Sequence, residues 1–522
     1  MRRLGGVSVI IKLGVIAVIV LYVSFSCNNL KNINRRITPA DSARTLDHDS
    51  PYLKAHMKNG RVYILKSWSV DEKDSLVNGK GFVYGINRNL LKEGEFSVGL
   101  DSVALFETNV LYQSGSVIAM AVITGASLAL TAGCMANPKA CFGSCPTFYV
   151  TDGKKTVLQA EGFSSSIAPS LEATDVDALY RAHPAGKTVK VEMRNEALET
   201  HMVRYVDLLA VPKSKNERVF KDMDGNYWRS NRILAPDTCT GPEGDILKKV
   251  ISFDSKERYS LSDTTYLGTK EYIDLWFDHV PKGKTGLIVA SRQTLLSTYL
   301  FYQTLAYMGN DIGTWLSALR FQKDYFKNGN LARILGKIDV LIQDNTGKWK
   351  KAGIAGEQGP LATDVFLVPL PSETKKRPLH IRLRMTKGDW RIDYLALAAL
   401  NGKVKPETIQ QTVVMKRGKP DEHALRYLTD NSKKLIMLPG DDYILKYQLP
   451  DSASHYELFL QSHGYYLEWM RREWEHEKSY QKMVQLLFSP ETMLKDLGPA
   501  YKKVESRMEN EFWRSRYAHP FN

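Results

Sequence analysis

The stretch Pro146-Thr147-Phe148-Tyr149-Val150, then Asp152-Gly153-Lys154-Lys155, then Val157-Leu158-Gln159-Ala160, decides how the chain is read. Asp-Gly supplies the left-handed backbone that a tight strand reversal needs, and the flanking runs are β-branched or aromatic, so a hairpin is expected. Similar runs recur at 188–193, 203–211, 273–277, 287–290, 339–343, 365–370, 390–397 and 443–449. Within them His380-Ile381-Arg382-Leu383-Arg384-Met385 alternates strictly, which buries one face and leaves the arginines on the other. Asp222-Met223-Asp224-Gly225-Asn226 imitates the start of a calcium loop but lacks the later acidic ligand, and a hairpin turn is expected there.

Outward from the hairpin the pattern changes twice. Upstream, 62–65, 81–85 and 97–106 read as strands of a small all-β domain. Between that domain and the hairpin lies the uncharged run 117–133, with Ala121, Gly125, Ala129 and Gly133 four apart, a spacing that lines one helix face with small residues. It is about three residues short of the ~20 that span a bilayer comfortably. A buried or interfacial helix is expected, and a crossing stays open. Downstream, 294–308 and 313–327 take a helical period, as does the tail, where Tyr456, Phe459, Leu460, Tyr466, Leu467, Met470 and Trp474 recur at helical intervals.

The expected class is α+β, mostly β. The expected partition is a signal peptide at 1–26, a tether at 27–56, a small β domain at 57–112, an apolar helix and cysteine cluster at 113–145, a β-rich domain at 146–292, a helical insert at 293–337, a β-sandwich region at 338–450 and a helical tail at 451–522.

Of 522 residues, 71 are Lys or Arg and 57 Asp or Glu, giving +14. Without residues 1–26, which hold Arg2, Arg3 and Lys12, the balance is 68 against 57, or +11. The excess is spread out, with no dense basic stripe of the kind a nucleic-acid groove needs. At the N-terminus, Arg2 and Arg3 precede the apolar run 13–23, and Ser24-Phe25-Ser26-Cys27 follows. This resembles a bacterial lipoprotein signal, with Ser24 where Leu is usual. The resemblance implies that Cys27 is lipidated and anchors the chain in the cell envelope. An uncleaved signal anchor with an incidental Cys27 is the alternative.

The other cysteines, Cys134, Cys141, Cys145 and Cys239, are disulfide candidates in an exported chain. Their C-x6-C-x3-C spacing is not that of a zinc site, and neither metal nor cofactor is expected. For catalysis, Gly162-Phe163-Ser164-Ser165-Ser166 lacks the second glycine of a nucleophile elbow. Glu196, Glu199 and His201 form the densest cluster of acids and histidine. Glu199 and His201 share a strand face, as acid/base groups might, but a solvated strand explains the same pattern.

Two further stretches carry a family likeness. The run from Asn137 to Tyr149 (NPKACFGSCPTFY), with Arg194-Asn195-Glu196-Ala197-Leu198-Glu199-Thr200 and Trp390-Arg391-Ile392-Asp393-Tyr394-Leu395-Ala396-Leu397, resembles a group of uncharacterised predicted lipoproteins of Bacteroidota-like bacteria, over most of residues 60–515. Residues 338–400 also resemble the closing half of a galactose-binding-like jelly roll, a likeness of fold only. The expected role is a non-catalytic envelope lipoprotein that binds or scaffolds a protein or glycan partner. An envelope hydrolase of glycan or peptide is the alternative, and a pocket with converging carboxylates would favour it.

Overall fold

The computed structural model describes residues 32–112, 146–309, 330–468 and 477–509, apart from short breaks at 51, 58–60, 72, 85–89, 153–154, 168, 185, 197–198, 358, 372–377, 438–440 and 507. Among the described residues strand outweighs helix, 51% to 19%, in several antiparallel sheets, an α+β fold that is mostly β. Two compact units divide at Val122. Among the described residues no helix is long and apolar enough to cross a membrane. Cys27, Cys134, Cys141, Cys145, the run 117–133 and the expected helix at 313–327 lie outside them.

The first unit is one six-stranded sheet of β1 (Asn32–Pro39), β2 (Leu53–Met57), β3 (Val62–Asp71), β4 (Leu76–Tyr84), β5 (Leu90–Gly99) and β6 (Val103–Tyr112), ordered β1-β6-β2-β3-β4-β5. The expected tether at 27–56 is corrected here. β1 and β2 hydrogen-bond to the two edges of β6, and β2 buries Leu53, Ala55 and Met57 in alternation. Three apolar residues among polar ones leave little signal in sequence, although backbone pairing satisfies the strand as fully as any other.

The second unit begins with β7 (Thr147–Asp152), β8 (Lys155–Glu161), β9 (Ala173–Ala178), β10 (Thr188–Arg194) and β11 (Glu199–Pro212). There follow β12 (Arg218–Lys221), β13 (Tyr227–Ser230), β14 (Arg232–Leu234), β15 (Thr238–Gly241), β16 (Gly244–Asp245), α1 (Leu247–Val250), β17 (Lys270–Phe277), β18 (Thr285–Gln293), α2 (Leu295–Met308) and α3 (Asn330–Leu335). Next come β19 (Ile338–Gln343), β20 (Trp349–Ala355), β21 (Asp364–Pro369), β22 (Leu379–Thr386) and β23 (Trp390–Ala399). The chain closes with β24 (Gly402–Val404), β25 (Glu407–Ile409), β26 (Gln411–Lys416), β27 (Lys419–Pro420), α4 (Glu422–Thr429), β28 (Leu435–Met437), β29 (Asp442–Gln448), β30 (Tyr456–Glu468), α5 (Tyr480–Phe488) and α6 (Pro490–Lys502).

These strands form two sandwiches, one nested in the other. The outer sandwich packs the sheet β27-β26-β29-β10-β7-β8 on β25-β11-β30-β9, with Val191, Leu445, Val206, Leu208 and Leu460 in its core. The inserted sandwich packs β14-β23-β18-β21 on β16-β15-β17-β22-β19-β20, around Leu287, Val289, Leu395, Ile273 and Ile381. Burying each such side chain stabilises by roughly 1.5–3 kcal/mol. The expected boundaries at 292 and 338 are therefore corrected, because strands on both sides of the helical insert share one core. Antiparallel partners need not be neighbours in sequence, and the period of a strand does not say which sheet it joins.

The chain leaves the outer sandwich through β12 and β13 and returns through β24, and β13 pairs with both of the others. The small sheet they form is a middle layer. Val219, Tyr227 and Val404 pack on Leu209, Val211 and Phe459 of the outer sandwich. From the other face, Phe220 and Trp228 pack on Ile288, Ala290 and Leu367 of the inserted one.

The helical tail is also corrected. Residues 456–468 form β30, a central strand paired with β11 and β9, with Leu458 and Leu460 in the outer core and Phe459 in the middle layer. A strand buried on both faces reads as a continuous apolar run, which periodicity alone does not separate from a helix. Helix resumes at α5 and α6, which pack with α2 and α3 into one apolar cluster. The expected helix at 294–308 is present as α2, with Thr294 Oγ1 accepting from Leu296 N.

Candidate functional site: a carboxyl-lined cleft between the sandwiches

A cleft of about 430 Å³ opens where the middle layer meets both sandwiches. Its walls come from β9 (Thr174, Asp175, Val176), the β12–β13 hairpin (Lys221, Met223, Tyr227), the loop after β20 (Glu357), β21 (Phe366), and β25 and β30 (Thr408, Gln461). The hairpin is held by Asp222, whose Oδ1 accepts from Asn226 N at 2.8 Å and Asp224 N at 3.0 Å, while Oδ2 accepts from Trp228 Nε1 at 2.7 Å. Gly225 supplies φ +80° at the turn. The calcium-like run is thus a hairpin turn, as expected.

The two-residue period of β9 puts Asp175 and Asp177 on one face. Both are buried, as is Asp364 at the start of β21. Asp175 Oδ2 accepts from Phe163 N at 3.1 Å and Oδ1 from Val176 N at 2.8 Å. Burial, then the charges of Glu357 and Asp364, push the Asp175 carboxyl well above the carboxylate range, against the pull of Lys221. Asp177 is raised by burial and by the charges of Asp175 and Asp364. Burial and Glu357 push Asp364 up to about 7, with Asp177, Lys221 and Lys337 opposing.

Lys221 brings positive charge to the cleft, but its Nζ donates to Val176 O at 2.5 Å and lies 5.3 Å from the Phe366 ring centroid. Among the described residues no three His, Cys, Asp or Glu side chains are arranged to hold a metal ion. What the lining offers is the raised carboxyl of Asp175, a further carboxyl group at Glu357, an amide, two threonine hydroxyls and a phenol around one polar space.

The sequence-derived candidates lie elsewhere. Glu199 and His201 share a face of β11, as expected, with Nε2 of the histidine 3.0 Å from Oε2 of the glutamate. Both are fully buried, which corrects the solvated-strand reading. At this point β11 pairs with β30 on one side and β28 on the other, and a sheet covers the face. Glu196 accepts from Thr147 Oγ1 at 2.9 Å and from the Tyr149 hydroxyl at 2.5 Å. Burial, and then that carboxylate, raise the Tyr149 pKa. None of the three lines the cleft. Cys239, expected as a possible bridge partner, is a free, buried thiol on β15, and burial pushes its pKa up to about 12. A thiol held protonated in this way is a poor nucleophile and metal ligand.

Sequence reasoning missed the cleft residues. The one local signal was Asp175-Val176-Asp177, two acids with strand spacing around a β-branched residue. Compared with known proteins, the chain matches no family model and no curated protein, so the chemistry of the cleft is read from its residues alone.

Proposed function

We propose that this chain is a lipid-anchored lipoprotein of the bacterial cell envelope, belonging with the lipoproteins it resembles, and that it binds a hydroxyl-rich glycan segment in the cleft between its sandwiches. One observation carries the reading. Carboxyl, amide, hydroxyl and phenol groups from five chain-distant elements converge on a space in the size range of ligand sites. Sugar hydroxyls both donate and accept hydrogen bonds, and this lining answers both. Titrating the detergent-solubilised protein with soluble envelope oligosaccharides, followed by calorimetry, tests it. Saturable binding that Gln461→Ala and Asp175→Asn each weaken about tenfold, roughly one lost hydrogen bond to a polar ligand, is the expected result. Absence of binding across a glycan panel would end it.

A second reading, hydrolysis, is favoured by Asp175, whose carboxyl burial pushes well above the carboxylate range, in the same lining as Glu357. Asp175 would give its proton to the glycosidic oxygen as the bond to the anomeric carbon breaks. Water would add to that carbon and lose its proton to Glu357, releasing two sugar fragments. New reducing ends that vanish in Asp175→Asn and Glu357→Gln distinguish this from binding alone.

A further inference from the structure

One ladder holds both ends of the first unit. β1 opens at Asn32 opposite Tyr112, the last residue of β6, and the register continues to Pro39 opposite Leu105. Directly paired residues lie about 4.5–5.5 Å apart, so the chain enters and leaves this unit at one corner of its sheet. On both sides an apolar run lies beyond a few polar residues that continue from the corner. Cys27, after the apolar run 13–23, precedes Asn32 by five residues, and the uncharged run 117–133 begins five residues after Tyr112. Five residues reach at most about 18 Å.

We infer that the β1–β6 corner of the first unit is a membrane-apposed surface whose partner is the lipid headgroup layer. Two apolar segments roughly 90 residues apart in sequence are delivered to one point by a strand register, and a bilayer accommodates both at once. A free tether of some thirty residues would have let the unit drift from the membrane. With β1 starting at Asn32, only residues 28–31 intervene. β5, at the other edge of the sheet order, is five strand spacings away, up to about 24 Å.

The inference rests on the envelope reading only in that the N-terminal segment reaches a membrane. An acylated Cys27 and an uncleaved signal anchor place the corner alike.

Photocrosslinking tests it. The full chain, made in bacteria whose phospholipids are radiolabelled, carries p-benzoylphenylalanine in place of Tyr112, of Asn32 or of the exposed Leu91 on β5. Several-fold more lipid adduct at Tyr112 and Asn32 than at Leu91 is expected. Two corner positions guard against one variant that fails to fold. Equal yields, a larger yield at Leu91, or a chain recovered away from membranes would overturn the inference. Fatty-acid labelling of the native chain and of Cys27→Ala separates the two ideas. No acylation with the crosslink asymmetry intact ends the lipoprotein reading alone, and acylation without asymmetry ends this inference alone.

Discussion

Two groups of buried carboxyls in the second unit are treated in opposite ways. In and beside the inserted sandwich, arginine closes Glu257, Glu271 and Glu509. Arg292 donates through Nε to Glu257 at 2.7 Å, with both side chains nearly inaccessible at 1% and 2%. Arg391 joins Glu257 to Glu509, and Arg258 reaches both Glu243 and Glu271. Beside the cleft, Asp175, Asp177 and Asp364 have no arginine partner among the described residues, and the Lys221 ammonium is engaged by a backbone carbonyl. Guanidinium is charged at any working pH and forks onto a carboxylate, which fixes its partner as an anion. The carboxyl groups beside the cleft are instead pushed well above the carboxylate range by burial and by one another, and they, like the arginine-free Asp389, respond to milder changes of pH.

The largest test of this contrast is to open an arginine-closed pair. Arg292→Met leaves Glu257 buried with a weaker partner and should cost about 3–5 kcal/mol, seen as an earlier denaturant midpoint for the second unit. A loss under about 1 kcal/mol would mean that the two regions do not differ as described. Next is the pH response. Asp364 keeps its proton up to about 7 in the folded chain but releases it near the ordinary aspartate value of about 3.9 when unfolded. The folded state holds the extra proton between these values, so stability falls as pH rises across them. The slope is at most about 1.4 kcal/mol per pH unit for each proton. Melting curves from pH 4 to 8 should show the decline, and Asp364→Asn should make it shallower, with Asp389 and Asp393 accounting for part of what stays.

Smaller again is Lys221→Met, which removes a charge that draws protons off Asp175 and Asp364. It should move the declining part of that profile to higher pH and change stability by about 1 kcal/mol or less, the usual scale for a single substitution outside a core. Smallest in stability is Gln461→Ala, expected within about 0.5 kcal/mol of the parent while glycan binding falls. Equal losses of folding and binding would make the cleft wall structural.

The strands were largely legible. The 147–161 hairpin, the alternating β22 and the turn at Asp222 follow from local chemistry that nothing distant overrides. β1 and β2 escaped notice because their stability comes from β6, some fifty or more residues away, and little from their own side chains. β30 was misread because apolar residues on both faces erase the two-residue period. The cleft was illegible for a related reason. Asp175, Tyr227, Glu357 and Gln461 belong to four separate runs, and only the nesting of one sandwich within the other brings them together. Glu199 and His201 drew attention because they are close in sequence, whereas their surroundings, a central strand beneath a second sheet, are a property of the fold.

Nesting also sets an order of events during synthesis. β11 pairs along its length with β30, from Glu199 opposite Glu468 to Pro212 opposite Tyr456, so its partner emerges 244 or more residues later. At about 5–20 residues per second a ribosome takes roughly 10–50 s to supply it. Until then the edge of β11 that β30 fills is open, while the inserted sandwich has all its strands once β23 ends at Ala399, before β30 begins at Tyr456, and can close first. The outer sandwich must therefore be completed around a finished inner one. A chain that terminates before β30 would leave β11 exposed, and nascent-chain aggregation or chaperone capture would concentrate on that strand.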